Sequence, residues 1–225
     1  MDWDAKLAWA EAEHEARSQR PAAAGERDDF RLAGIAGASW AAGLAALMLG
    51  RDDLAAERLR RAADEYTVSW RAAPAGSWGR PIAALRCRLL ADDSRGARAD
   101  AASALDAGAT GADGPIASYC ASLALLVLAR DDDAARHAAV LVSDPTFEPA
   151  AVARALAALA AHDTPGYERA AAGVLDSFER RDAFLENVPV ADTVLVLDAL
   201  ALARGIPSAA RSSPLLPATG GHLPP

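Results

Sequence analysis

The sequence predicts an all-α protein built from stacked antiparallel helix pairs. About a quarter of its residues are Ala, which has the highest helix propensity of all residues. The β-branched and aromatic residues that favour strands are sparse. In addition, four segments share one pattern: an apolar helix end, a short turn, an Asp and an Ala-rich second helix. Helices joined by short turns account for all three observations.

Charge and cysteine content narrow the classes of function. The formal net charge of −8 argues against a nucleic-acid binder, since phosphate backbones require a basic face. Cys87 and Cys120 lie in apolar helical segments, where a thiol packs as a small hydrophobic group. The acidic start of the chain lacks the apolar stretch of a secretory signal. We therefore expect a cytoplasmic protein. Lys6 is the one Lys among many Arg, which suggests a GC-rich bacterial genome.

Apolar periodicity and helix-start signals predict ten helices in a single domain over residues 1–205. The predicted helices span residues 2–19, 28–49, 52–73, 79–91, 95–107, 115–130, 132–142, 147–161, 164–180 and 189–204. Residues 206–225 are rich in Pro, Ser and Gly, and they predict an extended tail that Leu215 and Leu216 anchor against the helices.

The second predicted helix raises the question of a membrane span. Residues 32–49 contain no charge, which meets the lower length limit for crossing a bilayer. Much of the stretch is Ala and Gly, and charges of both signs flank it, so we expect a buried central helix instead. Gly34, Gly37 and Gly43 lie inside it. Because each weakens a helix by about 1 kcal/mol relative to Ala, they indicate either a close helix neighbour or a kink.

The four similar segments are centred on Asp52, Asp92, Asp131 and Asp163, at spacings of 40, 39 and 32 residues. An Asp at a helix start accepts hydrogen bonds from the free N–H groups there and is favoured by the positive end of the helix. Helices joined by a short link become antiparallel neighbours, and each pair must bury its apolar face against the next. The pattern therefore predicts four turns that each join two antiparallel helices.

Two of these segments, at residues 47–66 and 126–142, resemble parts of the two helices of a tetratricopeptide repeat. The resemblance covers about half of the chain in separate pieces, and its repeat spacing is uneven. It implies a tetratricopeptide-like α-α superhelix; the alternative is an irregular helical bundle. The last helix is apolar nearly all round, and we expect it to lie at the centre and to close the array.

The aromatic residues suggest a binding surface. All five Trp lie in the first 78 residues, and residues 70–81 combine two Trp with two Arg around a Pro- and Gly-containing turn. Trp and Arg are the residues most enriched at binding hot spots. We expect Trp70, Arg71, Trp78 and Arg80 either to contact another protein or, for the two Trp, to fill the join between helix pairs.

Two carboxylates in the last helix suggest a second kind of site. Asp192 and Asp198 lie in an apolar helix, where a buried carboxylate requires a partner. One interpretation pairs each with an Arg of a neighbouring helix. The other places one of them with Arg80 in a pocket that binds a small ligand or catalyses a reaction.

The sequence contains no specific catalytic motif. A nucleophile elbow and a phosphate-binding Gly loop are both absent, and the single Glu11-x-x-His14 is too little for a di-metal centre. We therefore expect no enzymatic activity, no metal and no cofactor. The expected function is that of an interaction, adaptor or regulatory protein. A toxin-neutralising immunity protein is one alternative, and a helical enzyme or small-ligand binder is another.

Overall fold

The prediction of an all-α fold is confirmed. The structure is a computed structural model that describes residues 1–207 and 209–218. Within these ranges it contains ten α-helices, one short 3-10 turn at Leu185–Asn187 and no strand. The helices are α1 (Trp3–Gln19), α2 (Asp28–Met48), α3 (Asp52–Ala72), α4 (Gly79–Leu90), α5 (Ser94–Asp106), α6 (Pro115–Val127), α7 (Asp131–Ser143), α8 (Ala150–Ala160), α9 (Thr164–Glu179) and α10 (Asp192–Leu202).

The four predicted turns all use one backbone geometry. Three residues link α2 to α3, α4 to α5, α6 to α7 and α8 to α9. The middle residue of each link has a positive φ, which is 67° at Gly50, 50° at Asp92, 56° at Ala129 and 52° at His162. In every link the N–H of this residue and the next N–H donate to carbonyls of the preceding helix, three and five residues back. These hydrogen bonds end one helix and reverse the chain into its antiparallel partner.

The Asp residues at the turns occupy two different positions. Asp93 and Asp163 precede their helices, and their carboxylates accept hydrogen bonds from the N–H groups of Gly96 and Gly166. Asp52 and Asp131 are instead the first residues of α3 and α7, where no side chain caps the helix. The expected cap at Asp92 is wrong by one residue, because Asp92 itself adopts the left-handed conformation of the link.

The helix pairs stack through their first helices. Helix α4 packs on α6, and α6 packs on α8, while the second helix of each pair contacts the first helix of the next. The layer formed by α4, α6 and α8 is covered by α10, which packs against α4, α8 and α9. The last helix therefore lies on the first helices of two pairs, α4 and α8, and on the second helix of the last pair.

Helix α2 is continuous, and its middle is buried from Ile35 to Ala46. A Cβ added at Gly43 would lie 2.6 Å from the Cγ of Leu59, so α3 approaches closely there, as expected. At Gly37 the close neighbour is the Glu186 carboxylate, whereas no atom lies within 4 Å of a Cβ placed at Gly34. By length and hydropathy α2 alone, among the described helices, is able to cross a membrane, yet 67% of its most apolar window is buried inside the fold.

Residues 180–191, here called the closing segment, lead from α9 across to α1 and α2 before α10 begins. Glu186 receives two hydrogen bonds from Arg17 of α1, at 2.8 and 2.9 Å. Lys6 donates from Nζ to the carbonyl of Asn187 at 2.6 Å. The closing segment thus ties the C-terminal part of the chain to its first helix.

The described part of the tail lies against the last two helices. The carbonyl of Leu215 accepts a hydrogen bond of 2.8 Å from the N–H of Ala191, and Leu216 is buried. Arg211 pairs with Asp198 of α10 and Glu168 of α9. Ser208 and residues 219–225, which complete the predicted tail, lie outside the described residues.

Candidate functional sites

A buried carboxylate organises the end of the molecule where α2 begins, α3 ends and α4 begins. Asp29 is 3% exposed and accepts hydrogen bonds from Arg27 at 2.9 and 3.0 Å and from Arg80 at 3.0 Å. Ser69 donates to the carbonyl of Asp29 at 2.7 Å and accepts from Arg80 Nε at 3.1 Å. Both Arg side chains are therefore held in fixed positions by one carboxylate.

An exposed aromatic ring lies between these two Arg side chains. Phe30 is 59% exposed. The guanidinium carbon of Arg27 lies 4.6 Å from the centre of the Phe30 ring, and that of Arg80 lies 5.2 Å from it. A guanidinium at this distance is attracted to the face of the ring. The result is an exposed apolar ring with two guanidinium groups close to it.

Of the residues predicted to contact a partner, Arg71 is exposed and Trp70 is half-buried. Trp78 is buried, and its ring centre lies 6.4 Å from that of Trp70. The two indoles therefore pack where α3 meets α4, which is the join between two helix pairs. Arg80 is close by but is already bound to Asp29.

No local pattern in the sequence singles out Phe30 or Asp29. Asp28 and Asp29 have the ordinary appearance of acidic residues at a helix start, and the pattern does not distinguish the buried one from the exposed one. The partners of Asp29 are Ser69 and Arg80, which lie 40 and 51 residues further along the chain. Contacts between residues so far apart in sequence cannot be inferred from a local pattern.

We call Arg27, Phe30, Trp70, Arg71 and Arg80 the Phe30 surface.

Asp192 and Asp198 are each paired with Arg, but neither pairs with Arg80. Asp192 is 3% exposed and is bound by Arg86 of α4, which also donates to the Thr193 hydroxyl at 3.0 Å. Asp198 is bound by Arg211 of the tail and by the hydroxyl of Tyr167. The structure therefore does not bring Asp192, Asp198 and Arg80 together as a catalytic group.

Glu11 and His14 are engaged in contacts between α1 and α3. Glu11 pairs with Arg58, and the His14 ring lies 2.8 Å from the Glu65 carboxylate. Nowhere in residues 1–207 and 209–218 do three or more His, Cys, Asp or Glu side chains form a group suited to a metal ion.

A cavity of about 340 Å³ lies between the layer of first helices, the closing segment and α10. Its walls are mostly apolar, and five of the sixteen lining residues are aromatic. Tyr119 and Phe147 meet edge to face with ring centres 5.7 Å apart. Ile116 and Leu185, which are 49% and 65% exposed, stand among its lining residues. We call it the α4–α10 cavity; its aromatic lining consists of Trp40, Tyr119, Phe147, Phe178 and Phe184.

The polar part of this cavity is the pair of Arg86 and Asp192 with Thr193 and Tyr119 beside it. Burial lowers the pKa of Arg86, but Asp192 together with Tyr119, Cys87 and Tyr66 outweighs the burial, and the pKa is raised. Burial raises the pKa of the Tyr119 hydroxyl, against the influence of Arg86. At neutral pH the cavity therefore contains a charged guanidinium and a protonated phenol.

Comparison with known proteins adds no family to this description. No family model, no curated protein and no solved structure matches the chain.

Proposed function

We propose that the chain is a non-enzymatic interaction protein, an adaptor or regulator of the tetratricopeptide-like kind, that binds another protein through the Phe30 surface. The observation that carries the proposal is the 59% exposure of Phe30 between two fixed Arg side chains. An exposed aromatic ring flanked by Arg has the composition of an interface hot spot.

The burial of the Asp29 carboxylate supports the same proposal. Asp29 is a carboxylate removed from water, and such a group is unfavourable unless it is paired and hydrogen-bonded. Here it holds Arg27 and Arg80 against Phe30. A preorganised surface loses less conformational entropy on binding than a flexible one. Arg71, a further exposed cation, lies in the last turn of α3, two residues beyond Ser69.

A toxin-neutralising immunity protein is one form that this function would take, and it would act in the cytoplasm of a bacterium. An immunity protein differs from an adaptor in the partner that it binds, so the experiment below distinguishes the two. If the protein captured is a toxin, the immunity form is correct.

The proposal is tested by replacing Phe30 with the photo-cross-linking residue p-benzoylphenylalanine in the native host. Val140 of α7, 53% exposed, takes the same residue as a matched control. We expect one protein to be cross-linked in stoichiometric amount from position 30 and not from position 140.

The affinity between the purified partner and the purified chain is then measured for the unchanged chain and for two variants. Phe30→Ala should weaken their binding by about tenfold or more, since a hot-spot truncation costs more than about 1.4 kcal/mol. Val140→Ala should leave the binding unchanged. Equal cross-linking at both positions, no cross-linked product, or unchanged binding by Phe30→Ala would refute the Phe30 surface as the docking site.

A further inference from the structure

The α4–α10 cavity is separate from the Phe30 surface, and it has the features of a small-molecule site. Its volume of about 340 Å³ lies at the lower end of the range for small-ligand sites, roughly 300–1,000 Å³. Apolar side chains, five of them aromatic, form most of its wall, and a few polar groups converge on one part of it. Rings that pack on flat, apolar walls gain both buried area and favourable ring contacts.

The polar pair in the cavity retains unused hydrogen-bonding capacity of both kinds. Arg86 donates from Nη2 to Asp192 and Thr193, and 24% of its side-chain surface remains accessible. Asp192 Oδ1 has only a 3.5 Å contact with the Thr193 hydroxyl, although a carboxylate oxygen has room for two donors. Buried groups that lack a partner are unfavourable. A ligand that donates and accepts side by side would therefore satisfy this pair.

The charges around the cavity favour a neutral ligand. Arg86 and Asp192 neutralise each other inside it, and Arg181 and Glu148, both exposed, contribute opposite charges to the lining. An anion would meet Asp192, and a cation would meet Arg86. Neither sign of charge gains from entering a site of this kind, because a desolvated charge needs a net opposite charge nearby.

We propose that the α4–α10 cavity binds a neutral, planar small molecule that carries adjacent N–H and C=O groups, as in a cyclic amide fused to an aromatic ring. The ring packs between Tyr119 and the other aromatic walls. The C=O accepts from Arg86, and the N–H donates to Asp192. The Arg86–Asp192 pair thus supplies one donor and one acceptor that match the C=O and N–H of an amide.

The probe for this proposal is isoquinolone, a bicyclic lactam, titrated into the full-length chain and followed by calorimetry and by saturation-transfer NMR. Its N-methyl derivative keeps the shape and the carbonyl but lacks the N–H. We expect isoquinolone to bind about tenfold more tightly than the N-methyl derivative, the value of one good hydrogen bond to a charged group. Naphthoate, an anion of similar size, should bind no better than the N-methyl derivative.

Two variants locate the binding without disturbing the buried Arg86–Asp192 pair. Ile116→Trp places a larger side chain in the cavity wall at a half-exposed position, and Val140→Trp is its control on α7. We expect Ile116→Trp to weaken isoquinolone binding by about tenfold or more and Val140→Trp to leave it unchanged. The proposal is overturned by undetectable isoquinolone binding at millimolar concentration, by equal affinity for the three probes, by preference for naphthoate, or by equal effects of the two variants.

Discussion

At the scale of single residues, the fold depends on carboxylates that are buried and paired. Asp29 and Asp192 are each 3% exposed, and each receives hydrogen bonds from an Arg on another helix. Removing one partner of such a pair leaves a buried charge without compensation. These residues therefore fix how α2, α4 and α10 are oriented, and a change in either one should be costly.

Asp29→Asn should lower the free energy of unfolding by about 3 kcal/mol, because the largely buried Arg80 loses its charged partner and Arg27 loses both of its hydrogen bonds to a carboxylate. Urea denaturation followed by circular dichroism measures it. The neighbouring Asp28 is the matched control: its side chain is 68% exposed and has one 3.5 Å contact with Arg31. Asp28→Asn should change the free energy by no more than about 0.5 kcal/mol. Equal effects of the two substitutions would contradict the role given to Asp29.

The sequence indicates which residue types are unusual but not which residues they meet. Asp192 stands out as a carboxylate in an apolar helix, and its need for an Arg follows from electrostatics alone. That the Arg is Arg86 and not Arg80 depends on how α10 crosses α4, over a separation of 106 residues. Phe30 had no distinguishing signal, since an exposed Phe at a helix start has the same local pattern as a buried one.

At the scale of elements, the four links share a left-handed middle residue, but only one of them has Gly there. Ala129, His162 and Asp92 adopt a φ between 50° and 56°, which is unfavourable for residues with a Cβ. The chain therefore retains strain in three of its four links, and the strain can be relieved without touching the core, since Ala129 is exposed.

Ala129→Gly should raise the free energy of unfolding by about 1 kcal/mol, and Gly50→Ala should lower it by a similar amount, since the two substitutions make opposite changes at equivalent positions. Guanidinium denaturation of both variants measures the pair. Ala161→Gly serves as a control, because Ala161 is exposed and its φ is −88°. Ala161→Gly should not raise the free energy of unfolding. A loss of stability in Ala129→Gly would show that the link has another geometry.

The helix boundaries could be predicted from the sequence because the apolar periodicity stops where the helix-end signals occur. Every predicted helix exists, and its ends lie within three residues of the predicted ones. The position of the caps was less certain: with two consecutive Asp residues at 92 and 93, the pattern gives no reason to prefer the second as the cap. Asp93 is the cap because the link has three residues and Asp92 is its middle one.

At the scale of the whole molecule, the chain covers its own layer of first helices. Helix α10 lies on α4 and α8, and the closing segment is held to α1 by Arg17 and Lys6. This arrangement leaves two different places for binding: the Phe30 surface at one end, and the partly open α4–α10 cavity beside the closing segment. The apolar character of α10 predicted its central position, whereas the path of the closing segment had no local signal.

The closure of the helix pairs by α10 is the central claim, and native-state hydrogen exchange of the full chain followed by mass spectrometry tests it most directly. If α10 is packed against α4, α8 and α9, its amides should exchange as slowly as those of α4 and α6, through a shared global opening. Fast exchange throughout Asp192–Leu202, while α4 and α6 stay protected, would contradict the account.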